Sequence, residues 1–344
     1  MIKKIVIATH VFAPGPSQAL RDYLIKEKKE VLFIGHPILG NLFTWLLGAL
    51  DTFFKVLKQR KKYDLYVGYD NVNAFIGLIL KKMGKVEKVI FMTVDYSHNR
   101  FKNKMLNNFY HWLDYYCLKN ANLVWNSTDR MVFEREKRGI LKIYRNKQIA
   151  VPDGTDLVKL VPFDKRNLYE IVFVGHLKED MGLELLIESF PEIEKEIPEV
   201  KLTIIGSGYM EKKLKEQARG LNIEFKGFIG DLTEVYKIIT KAVIGLAIYN
   251  KNGMMEFTDP AKVKLYLSAG LPVIVTRVPQ IATEIENKKC GITIDYNKEE
   301  LKNAIVRLLK NQELLKKYSD NALILSKKYL WSNIFREALG KLYE

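Results

Sequence analysis

The chain has 344 residues, 48% hydrophobic and 28% charged, with a formal net charge of +15. This length suits two globular domains, and the balance excludes wholesale disorder, collagen and coiled coil. Asp51 and Lys55 interrupt the most apolar stretch, which leaves no run near the roughly 18 residues a membrane-spanning helix needs. Cys117 and Cys290 are too few for a disulfide framework and lack metal-ligand spacing. The opening MIKKIVIATHVFAPG runs from a short apolar stretch into a loop, and reads as a first buried strand rather than a cleaved leader. The expectation is a cytoplasmic protein of two domains with no structural metal and no disulfide.

The charge is unevenly placed. Residues 1–165 hold 28 Lys/Arg and 15 Asp/Glu, so 28 − 15 = +13, against 27 − 25 = +2 for the remainder. Such asymmetry points to an anionic partner for the first half: a membrane surface, a phosphate-bearing acceptor or nucleic acid. No stacking or helix-turn-helix pattern accompanies the charge, so nucleic acid ranks low. A lysine-rich solvated surface is the plain alternative, but it would spread charge over both halves.

In chain order, strands are expected at 4–10, 30–36, 64–69, 88–94 and 121–127, each apolar on nearly every residue. That is the signature of a parallel sheet covered on both faces. Helical spacing fills the gaps, for example in QALRDYLIKEKK and in 99–119, giving the β-α-β-α grammar of a doubly wound sheet. Residues 152–168, rich in Pro, Asp and Gly, read as a linker. The pattern then restarts, with strands at 169–176, 200–208, 224–228, 243–250, 271–276 and 290–296. Helices are expected at 182–196, 209–220, 231–240, around 260–269, and at 298–310 and 312–328. The expected division is 1–160 as an acceptor-binding domain, 161–325 as a donor-binding domain, and 326–344 as a helix crossing back to the first. Ligands of open α/β sheets bind at the carboxyl edges of the strands.

Residues 42–58 form an aromatic-rich amphipathic stretch. Leu42, Phe43, Leu46, Leu50, Phe53, Phe54 and Leu57 share one helical face, with Thr44, Asp51, Thr52, Lys55 and Lys58 opposite. Followed by Gln59-Arg60-Lys61-Lys62, it fits a membrane interface and equally a core helix whose large apolar side chains pack on the sheet. Segment 99–119 adds Arg100, Lys102 and Lys104 beside Phe101, Phe109, Tyr110 and Trp112.

Gly15 lies between Pro14 and Pro16 just before a helix, where backbone N–H groups suit an anion. It is not a dinucleotide fingerprint, because the further glycines are missing, and GSGYME at 206–211 fails in the same way. Asp95, at the end of the fourth strand, suits a carboxylate that orients or deprotonates an acceptor hydroxyl; a plain loop cap reads as well. His10, His36, His98 and His176 lie near strand ends, where a surface or hydrogen-bonded role is the commoner one.

The most specific region is 249–285. There DPAKVKLYLSAGLPVIVT resembles the donor-binding segment of the GT-B glycosyltransferases, close to the large family 4 (group 1). In order and spacing, VFVGHLKEDMGLELLIESF resembles the family's diphosphate loop, LTIIGSGYMEKKL its next strand with G-x-G, and IEFKGFIGDLTEVYKI its base-recognising turn. YLWSNIFREALGKLY resembles its final crossing helix. The resemblance covers 169–340 well and the first half by pattern only.

The resemblance implies two Rossmann-like α/β domains facing across a cleft. It also implies hexosyl transfer from a UDP- or GDP-sugar with retention, and no metal cofactor. The implied donor side comprises Gly15, Gly175, His176, Lys178, Gly206, Phe228, Tyr249, Thr258, Asp259 and Lys262, with Asp95 and Glu256 as catalytic residues. Lys262, in the first turn of a helix that opens near Pro260, suits the departing diphosphate; a solvated first-turn lysine is its plain counterpart, as an N-cap is for Asp259. The implied partners are the nucleotide sugar, a lipid-linked or glycan acceptor, and peripheral contact of the basic domain with the inner face of the cell membrane.

The family pattern is altered in places. Its second Glu is Leu265 here and its first falls at Phe257, beside Glu256; its diphosphate Arg and Lys correspond to His176 and Met181. A nucleotide-sugar epimerase of the same fold, or a degenerate binding protein, are the competing readings.

Overall fold

The computed structural model describes residues 2–10, 15–36, 42–251 and 254–344. The chain divides into two compact units, one of residues 1–153 with 331–344 and the other of residues 154–330.

The first unit is built from strands β1 (Lys4–Thr9), β2 (Glu30–Gly35), β3 (Tyr63–Tyr69), β4 (Val86–Thr93), β5 (Leu123–Asn126) and β6 (Gln148–Ala150). They form one parallel sheet in the order β2-β1-β3-β4-β5-β6. Helices α1 (Pro16–Lys26), α2 (Leu42–Lys58), α3 (Asn71–Lys82), α4 (Lys104–Asn120) and α5 (Arg130–Lys137) make the crossovers. Ile5, Val6, Ile7 and Ala8 are fully buried, as strands covered on both faces require. β6 is only three residues long, too short for the periodicity that marks the other strands.

The second unit repeats the plan. Strands β7 (Glu170–Val174), β8 (Lys201–Ile205), β9 (Ile223–Gly227), β10 (Ile244–Ala247), β11 (Val273–Thr276) and β12 (Gly291–Ile294) are ordered β12-β11-β10-β7-β8-β9. Helices α6 (Leu183–Glu196), α7 (Glu211–Gln217), α8 (Leu232–Ile239), α9 (Ala261–Ser268), α10 (Ile281–Asn287), α11 (Lys298–Lys310) and α12 (Gln312–Ser326) cover it. The seven-residue α10 was not evident in the sequence pattern. The fold is therefore α/β, two doubly wound parallel sheets of six strands each.

One local reading of the sequence is corrected. Residues 154–168 are not a free linker, because they are pinned to the second unit. Arg166 donates to the carbonyls of Gly270 (2.9 Å) and Val161 (3.1 Å), and Thr155 pairs with Leu330 and with the Ser268 hydroxyl (2.9 Å). The last helix, α13 (Trp331–Gly340), belongs to the first unit; there Phe335 is fully buried, stacks 5.2 Å from Trp331 and meets Tyr23 at a tilt, 5.7 Å away.

The sequence left two settings open for the apolar face of α2. Of that face, Leu46, Leu50 and Phe54 are exposed and Phe53 packs on the core, while Gly48, Ala49, Thr52 and Val56 are buried. The helix docks through its small residues because they allow close approach. A Cβ on Gly48 would stand 3.1 Å from the His36 ring, and Thr52 shares a 2.9 Å hydrogen bond with His36 Nε2. The side chains of Leu42 and Phe43, assigned to the same face, lie outside the described residues.

Candidate functional site

Each sheet has one place where the strand order reverses, and crevices form at the carboxyl end of such points. In the second unit it lies between β7 and β10. The chain leaving β7 turns at Gly175 (φ +147), and the chain leaving β8 turns at Gly206 (φ +140). Both torsions favour glycine, and space demands it as well. A Cβ on Gly206 would lie 1.9 Å from the Gly175 carbonyl oxygen, and one on Gly175 would lie 2.7 Å from Lys262 Nζ. The Gly175 N–H donates to Ile205 O (2.9 Å) and the Gly206 N–H to Gly227 O (2.8 Å), tying three loops together.

Lys262 reaches this point from the second residue of α9. Its Nζ lies 3.9 Å above the Phe173 ring, 5.5 Å from the Tyr249 ring centre and 3.8 Å from Met181 Sδ. No ion pair of Lys262 occurs among the described residues. Burial, with Lys178 repelling it, lowers its pKa to about 7. Cation–π contact holds the ammonium without neutralising it. Tyr249, following β10, is fully buried, and its hydroxyl has no hydrogen-bond partner among the described residues. Its N–H donates to Thr276 Oγ1 (3.0 Å), which donates to the Tyr249 carbonyl (3.0 Å).

Gly175, Gly206, Tyr249 and Lys262 thus come together, with Lys178 in electrostatic reach. The remaining expected donor residues are looser. His176 and Glu256 are exposed, and Phe228 is 76% exposed just after β9. The Thr258 hydroxyl donates to Met255 Sδ (3.4 Å). Asp259 is not the N-cap of α9, a position held by Pro260; its carboxylate pairs with the fully buried ammonium of Lys264, so its role here is to anchor the helix. Asn252 and Gly253, in the same motif region, lie outside the described residues.

In the first unit the reversal lies between β1 and β3, and a cavity of about 260 Å³ opens there. Gly15 and Asp95 both line it, so both belong to the first unit's cavity. Its φ of 179° is extended backbone and caps α1 without a side chain; Val11 to Pro14, from the same loop, lie outside the described residues. Asp95 stands two residues beyond β4, with Arg100 Nη1 3.8 Å from its carboxylate.

Three further residues line the cavity: His10, noted in the sequence only as a strand-end histidine, and Asp70 and Asp114, which were not singled out there. His10, 4% exposed, accepts at Nδ1 from the Asn73 amide (3.0 Å), since that Nδ2 also donates to Tyr69 O (2.8 Å). This tautomer leaves the His10 Nε2–H unpaired among the described residues. Asp70, at φ +73°, accepts from the N–H groups of Val72 (2.9 Å) and Asn73 (3.1 Å), and burial raises its pKa. Asp114 receives both ends of the fully buried Arg135 guanidinium, at 2.8 Å each. Arg135 spends its other donors on Asn126 Oδ1, Gln148 Oε1 and Thr93 Oγ1. The network knits the ends of β4, β5 and β6 under the cavity. Among the described residues no cluster of three His, Cys, Asp or Glu side chains has metal-binding proximity.

Residues 169–311 match the model of the family described as glycosyl transferases group 1. That match covers the second unit only, and the fold of the chain is GT-B. A glycosyltransferase of Haemophilus influenzae is 27% identical over 204 residues, 58% of this chain and 56% of that one. The poly(glycerol-phosphate) alpha-glucosyltransferase of Bacillus subtilis is 28% identical over 193 residues, 54% of this chain and 27% of its own. The chain spans about half the length of the first curated relatives it matches. Among solved structures, HepE of Anabaena in complex with UDP and glucose superposes with a TM-score of 0.75. It is 15% identical and covers 99% of this chain and 100% of its own. The group 1 match stops short of the first unit, where the sequence resembled the family by pattern only.

Proposed function

We propose that this glycosyltransferase moves a hexosyl group from a nucleotide-diphosphate sugar, held on the second unit, to an acceptor hydroxyl held in the cavity of the first. The observation that carries the reading is the Lys262 ammonium, seated at the β7/β10 reversal against Gly175 with no counter-ion among the described residues. A departing nucleoside diphosphate supplies that counter-ion. Lys178 and the first N–H groups of the eight-residue α9 add to the positive field, and charge placed where negative charge develops accelerates transfer. Lys262 stands against Met181, the position of the family's diphosphate lysine, and so takes over its task from a different element. This chemistry draws its positive charge from the protein.

UDP is the favoured nucleotide over GDP, in line with the UDP complex of the structurally similar HepE. Asp95, together with the His10 Nε2–H, orients the acceptor hydroxyl in the cavity. Glu256 contacts the transferred sugar, and Phe228 offers its exposed ring to the base. Retention at the anomeric carbon is the outcome implied by the family. A separate acceptor cavity favours transfer over epimerisation, which needs no acceptor. The basic first half suits a phosphate-rich or lipid-carried acceptor, consistent with the poly(glycerol-phosphate) named for the Bacillus relative.

The test is a calorimetric and thermal-shift titration with UDP, GDP and their sugar conjugates on wild type and Lys262→Met. A UDP concentration 100 times Kd should stabilise the wild type by roughly 2.7 kcal/mol, with at least a tenfold weaker Kd for the variant. Absence of a response to every nucleotide overturns the reading.

A further inference from the structure

The first unit carries an apolar surface that no described residue of that unit covers, and it lies beside the cavity. In a parallel sheet each crossover helix starts at the carboxyl edge of its strand, so the N-terminal turns of α2 and α4 rise at the edge where the cavity opens. Both helices pack on α3, which stands between them. Trp45 of α2 and Tyr110 of α4 line the cavity. The residues next to them point outward: Leu46 and Leu50 are each 52% exposed, Phe109 is 51%, Trp112 is 53% and Met105 is 83%. Phe109 and Trp112 stack at 5.8 Å, and Trp112 and Tyr116 also stack at 5.8 Å, which fixes an aromatic ridge on α4. Lys102 and Lys104 are exposed at its foot.

We infer that this face of α2 and α4 docks the glycosyltransferase onto an anionic lipid bilayer, with the cavity at the bilayer surface. Three features select this occupant. Exposed aliphatic and aromatic side chains beside lysines suit the boundary between headgroups and acyl chains. The first half carries +13 of the chain's +15, which attracts anionic headgroups and repels a second copy bringing the same face. The apolar side chains surround a cavity rather than a flat patch, so docking delivers a headgroup to the site. The docking surface stands independently of the donor assignment; only the identity of the acceptor as a lipid-carried hydroxyl rests on the proposed transferase reading.

The experiment uses the full chain and flotation with vesicles of phosphatidylcholine alone or with added phosphatidylglycerol. The expected result is binding that requires phosphatidylglycerol, falls with salt and shifts Trp112 fluorescence to the blue. Leu50→Ser/Phe109→Ser should reduce partitioning at least tenfold, and Lys102→Ala/Lys104→Ala should reduce it several-fold. Both variants should keep the wild-type circular dichroism and the thermal shift with UDP, because all four side chains are exposed. A protein that answers UDP yet ignores phosphatidylglycerol vesicles overturns the docking and spares the donor site. One that binds vesicles but no nucleotide does the reverse. A dimer in light scattering that Leu50→Ser/Phe109→Ser dissolves, without vesicle binding, assigns the face to a second copy and also overturns the proposal.

Discussion

The two sites share a position and differ in material. Both lie at the reversal of a six-stranded parallel sheet, between β1 and β3 in one unit and between β7 and β10 in the other. The second unit builds its site from glycines, backbone N–H groups and one unneutralised lysine. The first builds its site from side chains: a histidine fixed by an amide, an aspartate at positive φ, and an arginine with all five N–H donors used. Backbone and a single charge recognise what all nucleoside diphosphates have in common. Shaped side-chain networks discriminate, so on the proposed reading acceptor specificity falls to the first unit.

The strongest challenge to that contrast is Arg135→Met. It strands the Asp114 carboxylate, whose side chain is 3% exposed, and breaking a buried pair by removing one partner costs about 3–5 kcal/mol. Urea denaturation should show that loss, and Arg135→Met/Asp114→Leu should recover most of it, because no uncompensated charge remains. A double variant as unstable as the single would mean that the hydrogen bonds to Asn126, Gln148 and Thr93, rather than the charge pair, hold this edge together. The matching challenge to the second unit is Gly206→Ala. The added Cβ meets the Gly175 oxygen at 1.9 Å with φ at +140°, so the two loops must part. The expected cost is about 1–3 kcal/mol, with loss of the UDP response. Retention of UDP binding would show that the loops are not the diphosphate seat.

The difference in material also explains what could be read in advance. Eleven of the twelve strands fall where the sequence pattern places them, most as apolar runs and β9 as an alternating segment, and the three-residue β6 left no such signal. The proposed donor side could be named in advance because its residues sit in short motifs, Gly175 to Met181 and Asp259 to Gly270, in order along the chain. In the first unit Gly15, Asp95 and His10 stood out singly near strand ends, but Asp70 and Asp114 did not, because they are 44 residues apart and only strand order brings them to the same cavity. For helix α2 the sequence left two settings open, and packing chose between them. Its period was right, but Gly48, Ala49 and Thr52 permit an approach that Leu46 and Leu50 would prevent, so the small side of the helix is the inner one. Asp259 pairs with Lys264, five residues along, a partner its place in the motif did not reveal.

The finest distinction between the sites is protonic, and Lys262 carries it. Its pKa is lowered to about 7 from an ordinary 10.5, by burial and then by Lys178. Between those values the unfolded chain binds a proton that the folded chain does not, so stability rises with pH across that window. Below about pH 7 both states are protonated, and the full penalty of the buried charge is present. Lys262→Met removes the penalty, so the variant should be the more stable protein at pH 6, with its advantage shrinking toward pH 10. UDP reverses the preference, since a diphosphate against Nζ favours the ammonium. At pH 8 wild type should therefore take up about one proton per UDP bound, read by calorimetry in buffers of different ionisation heat, and Lys262→Met should take up none. UDP affinity should fall as pH rises above 7 in wild type and change less in the variant. Equal proton uptake in the two proteins would mean that the diphosphate sits elsewhere and that Lys262 serves the fold alone.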